Sequence, residues 1–96
     1  MTAHLSASIL ALSRQAHALT ESAYEQNGAA MGTPGWADKQ RMLLADMALH
    51  LLQTALNDGP IAPEMLKRNL YSILTISAQF IPAHGLKAAA DELLKS

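Results

Sequence analysis

The sequence predicts an all-α fold: a small bundle of four helices in a single domain spanning residues 1–96. Two observations support this. The apolar half of the chain is mostly Ala, Leu, Ile and Met, with no valine and only 4% aromatic residues; the first, second and last of these rank high in helix propensity, whereas β-branched and aromatic residues favour strands. Apolar residues also recur at steps of three and four between Gly- and Pro-containing breaks, and no segment alternates with period two.

The first helix is expected over about residues 3–25, with Thr2 as its N-cap. Leu5, Ile9, Leu12, Ala16, Leu19 and Ala23 follow the steps 4, 3, 4, 3, 4 and fall within an arc of about 80°, an a/d seam suited to helix-on-helix packing. Leu10 and Tyr24 lie off that seam.

"NGAAMGTPGW", residues 27–36, follows. Its glycines do not match the phosphate-binding patterns: no strand precedes them, and Lys39 falls inside the next helix. The stretch reads as a connection, with Thr33 capping a second helix over about 34–57 and Pro34 at its first position. The apolar residues of this helix, Met42 to Leu56, cover roughly 240°. Lys39, Asp46, His50, Gln53 and Thr54 form the polar strip that remains, in which Asp46 and His50 read as a solvated i, i+4 pair.

"NDGP" ends the second helix, with Gly59 suited to a left-handed conformation. The third helix is expected over 63–81, with Pro63 in its first turn and Glu64 suiting the dipole. The fourth is expected over 83–95, with Leu86, Ala89, Ala90 and Leu93 as its inner stripe.

A surface helix needs an apolar stripe of little more than 100°, and helices 2 and 3 exceed twice that. Either these two helices are central, with helices 1 and 4 packed on both sides, or part of their apolar surface meets another chain. A homodimer is the economical answer at this chain length, with a complete monomeric core as the rival and transient binding to a different protein third.

Candidates for chemistry are few. Asp46 and His50 are four apart and can touch, as a general base and its orienting carboxylate would, but no third partner is assignable. His4, His17 and His84 have no i, i+4 partner among themselves, so a metal would need ligands from separate helices. The seven Lys and Arg residues are scattered. The link from Asn57 to Pro63 exceeds the three to four residues of a helix-turn-helix, and no basic footprint for nucleic acid is present. Trp36-Ala37-Asp38 does not carry the Trp-x-Gly turn of small secreted helical hairpins, and no family resemblance is read.

With a net charge of −1, no cysteine and no 18-residue apolar run, the expectation is a cytoplasmic protein with no membrane segment. Its expected function is that of a protein-interaction module (regulator, adaptor, chaperone-like protein or inhibitor) rather than an enzyme, without cofactor or metal. The expected partner is protein, a second copy first and a heterologous chain second, with no nucleic acid. The expected contact residues are Leu10, Tyr24, Trp36, Met47, Leu51, Tyr71 and Phe80. A small-ligand binder or enzyme using Asp46 and His50 is the alternative, and a DNA-binding regulator the third reading.

Overall fold

In the computed structural model, which describes residues 3–95, four α-helices follow one another: α1 (Ala3–Gln26), α2 (Trp36–Leu56), α3 (Pro63–Ser77) and α4 (Leu86–Lys95). A single 3₁₀ turn, Pro82–His84, precedes α4. The expected Thr2 cap lies outside the described residues. The all-α expectation holds, and among the described residues no helix is long and apolar enough to cross a membrane.

The helices pack in chain order, α1 on α2, α2 on α3 and α3 on α4. The cross-helix pairs Tyr24–Lys39 and His17–Asp46 run in opposite senses along α1 and α2, so these two are antiparallel. The pairs Gln40–Gln79 and Thr54–Asn69 show the same for α2 and the α3 segment. The chain measures 44 × 34 × 16 Å. Among the described residues, extensive contacts join only consecutive helices, so the bundle is laid out as an open layer.

Three boundaries differ from the sequence expectation, each for a local reason. α2 starts at Trp36, two residues late, because Gly35 is left-handed (φ 91°) and forms the cap itself. Thr33 does not cap the helix; its hydroxyl donates to the Ala30 carbonyl. Asn27 braces this connection: its amide donates to the Gly35 carbonyl at 3.3 Å, and its Oδ1 accepts from the Ala29 N–H at 2.9 Å. α3 stops at Ser77 rather than Ile81. Pro82 excludes the α conformation at the residue before it, and Ile81 sits at φ −134°, ψ 67°. α4 starts at Leu86 because left-handed Gly85 (φ 66°) separates it from the 3₁₀ turn. At the end of α2, Gly59 is left-handed as expected, although Asn57 is the cap.

The interior reverses the expected polarity. Among the described residues, only Leu10, Ile76 and Ala90 are buried apolar side chains, whereas Ser13, Gln40, Asp46, Thr54 and Asn69 are buried polar ones. The polar strip of α2 is therefore turned towards the neighbouring helices: Asp46 and Thr54 are buried, and Lys39, His50 and Gln53 are half-buried. Hydrogen bonds satisfy much of it. Thr54 donates to Asn69 Oδ1, and Gln79 Nε2 donates to Gln40 Oε1 at 2.9 Å. Such pairing is what makes buried polar groups tolerable. In α4, Ala90 is the buried residue of the inner stripe and Ala89 is exposed.

Candidate functional site

α1 carries two seams of identical spacing. Ser6, Leu10, Ser13, His17, Thr20 and Tyr24 follow the steps 4, 3, 4, 3, 4, one residue out of phase with the Leu5–Ala23 seam. On a helix the two stripes are about 100° apart. The mostly polar one faces α2: Leu10 and Ser13 are buried, and His17, Thr20 and Tyr24 are half-buried. The apolar one faces outward. Leu5, Ile9, Leu12 and Leu19 are all exposed, Leu12 at 65% and Leu19 at 72%.

Where the polar seam meets α2, three side chains converge. His17 Nδ1 lies 2.6 Å from Asp46 Oδ1, and His50 Nε2 lies 3.4 Å from Asp46 Oδ2. The two imidazole rings meet edge to face, with centroids 4.7 Å apart. Thr20 donates to the same Asp46 Oδ1 at 2.6 Å, and Glu21 Oε2 lies 3.1 Å from His17 Nε2. The Asp46 side chain is only 9% exposed, while that of His50 is 39% exposed and opens the cluster to solvent. The i, i+4 spacing of Asp46 and His50 on α2 was readable. The part played by His17 was not, because it depends on how α1 docks.

The seven expected contact residues do not share one surface. Leu10 is buried against α2 at 9% exposure, so it is not on offer to a partner. Tyr24 is half-buried, with the Lys39 ammonium 4.9 Å from its ring centre. Trp36, at the start of α2, is half-buried, as are Met47 and Leu51 further along it. Tyr71 lies under Lys87, whose ammonium is 4.6 Å from the ring centre and 2.9 Å from the phenol oxygen. Phe80 is exposed in the turn after α3, beside exposed Ile81. Of the exposed large apolar side chains, Leu5, Ile9, Leu12 and Leu19 share the outward seam of α1, while its Ala16 and Ala23 are half-buried. A depression of about 380 Å³ is bounded by Asp38, Arg41, Met42 and Ala45, all on α2, and is an open surface groove.

Comparison with protein families, curated proteins and solved structures finds no match.

Proposed function

We propose that this protein acts by binding protein, and that its first partner is a second copy of itself, held through the outward seam of α1. The observation that carries this reading is surplus surface. A folded monomer of this mass exposes about 5,350 Å², whereas this chain exposes 6422 Å². The surplus, about 1,000 Å², is close to one partner's share of a standard interface, about 800 Å². The radius of gyration points the same way, at 14.9 Å against about 12.5 Å for a compact domain of this length.

A single layer of helices has to bury its apolar face on another layer. Two copies meeting about a two-fold axis would each supply the same stripe. Leu5, Ile9, Leu12 and Leu19 would interdigitate, with Ala16 and Ala23 permitting close approach. A net charge of −1 per chain gives the copies little mutual repulsion. The same composition, free of cysteine, supports a cytoplasmic setting.

The cysteine-free chain provides a clean test by cross-linking. Single cysteines at Leu5, Leu12 and Leu19 are expected to yield a disulfide-linked dimer from at least one position under mild oxidation. Ala18→Cys, on the opposite side of α1, is expected to stay monomeric on a denaturing gel. Equal cross-linking at Ala18 and at the seam would count against this interface.

A further inference from the structure

We propose that His17, Asp46 and His50 form a binding site for a divalent transition-metal ion of the zinc type, fastening α1 to α2. The site is independent of self-association, since His17 lies on the inner seam of α1 and Asp46 and His50 lie on α2, whereas the dimer would use the outer seam.

The donor set is two imidazoles and one carboxylate, and one ligand atom from each lies within 4.8 Å of the others. Zn–N and Zn–O bonds of about 2.0–2.2 Å place the ligands of a tetrahedral ion about 3.3 Å apart. Around Asp46, His17 Nδ1 stands 2.6 Å from one carboxylate oxygen and His50 Nε2 stands 3.4 Å from the other. Side-chain rotation that draws the donors together would complete the set, and three protein ligands leave a fourth position for water.

The surroundings of His17 supply the second argument. Glu21 lies against Nε2 at 3.1 Å. A carboxylate there accepts a hydrogen bond from Nε2–H and fixes the tautomer, the usual arrangement behind a metal-bound histidine. The Nδ1 lone pair then points at Asp46 Oδ1, 2.6 Å away. Two acceptors at that distance repel unless a cation or an additional proton lies between them. Asp46 and Glu21 together bring two negative charges to the cluster, which a divalent ion neutralises. Thr20 donates to Asp46 and orients it. The exposed edge of His50 provides a way in.

The test is titration of the full chain with Zn²⁺ by calorimetry, and with Co²⁺ as a spectroscopic substitute. One ion should bind per chain, with the intense visible bands of tetrahedral Co²⁺. His17→Ala and His50→Ala should each weaken Zn²⁺ binding at least about tenfold, and Glu21→Gln about tenfold. His4→Ala and His84→Ala, which alter exposed histidines elsewhere, should leave it unchanged. Asp46→Asn removes a buried group, so the decisive variant is His50→Ala, whose half-exposed position spares the fold; circular dichroism checks this. Two results would overturn the proposal: Zn²⁺ affinity in His50→Ala equal to that of the unaltered chain, or no tetrahedral Co²⁺ spectrum together with a melting temperature insensitive to Zn²⁺ and chelator. The second result would mark His17 as bridged to its two carboxylates by protons alone.

Discussion

The two seams of α1 have the same spacing and opposite chemistry. The inner one, Ser6 to Tyr24, is mostly polar and is used within the chain; the outer one, Leu5 to Ala23, is apolar and keeps Leu5, Ile9, Leu12 and Leu19 exposed. Hydrogen bonds and ion pairs specify a register, because each donor needs its own acceptor. Apolar stripes supply most of the association energy but are less particular about their partner. Here specificity holds the layer together, and the larger apolar reserve faces away from it.

That contrast can be broken from either side. Charging the outer seam has the largest expected effect. Leu12→Glu with Leu19→Glu removes two side chains whose burial is worth about 1.5–3 kcal/mol each. The double variant should weaken self-association by more than a hundredfold with no loss of helical circular dichroism. Loss of helix at high dilution of the unaltered chain as well would show that the layer does not stand alone.

Across from the inner seam, Asp46→Ala leaves His17 and Thr20 facing a gap in a buried network. A loss of about 3 kcal/mol is expected, read by urea unfolding at one fixed protein concentration. A loss below about 0.5 kcal/mol, the range of ordinary surface changes, would mean that the polar seam does not hold α1 to α2.

Smaller effects belong to the ends of the layer. Gly35→Ala puts a side chain where φ is 91° and should cost about 1 kcal/mol. Lys87 donates to Tyr71 and to Asp91, both at 2.9 Å, and these bonds raise its pKa above the ordinary 10.5, Tyr71 contributing most. A raised folded-state pKa adds stability below pH 10.5 that is lost as pH climbs through the higher value. Because Lys87 is exposed, Lys87→Met should lower the melting temperature only slightly at pH 7. The difference should shrink towards zero in strongly alkaline buffer.

The sequence makes the helices legible because Gly and Pro mark their breaks. Its misreadings have physical causes. The 4, 3, 4, 3, 4 pattern was found at Leu5–Ala23 because hydropathy highlights it. The same pattern at Ser6–Tyr24 carries serines, a histidine and a threonine, and hydropathy passes over it. The Asp46–His50 pair of α2 reads as solvated for the same reason, since nothing local reveals that Asp46 meets His17, just as nothing reveals that Thr54 meets Asn69. The end of α3 was placed four residues late because Ile81 looks helical until the constraint from Pro82 is applied. The wide apolar arcs of helices 2 and 3 mislead in the same way: no large apolar side chain of α2 and only Met65 of α3 is exposed, whereas four on α1 are.

The central claim is that this layer of helices is half of a pair, and sedimentation equilibrium of the unaltered chain at micromolar concentration tests it most directly. The expected mass is twice the 10.3 kDa of one chain, falling to a single chain when Leu12 and Leu19 are both replaced by Glu. A single-chain mass for the unaltered protein across that range would contradict it.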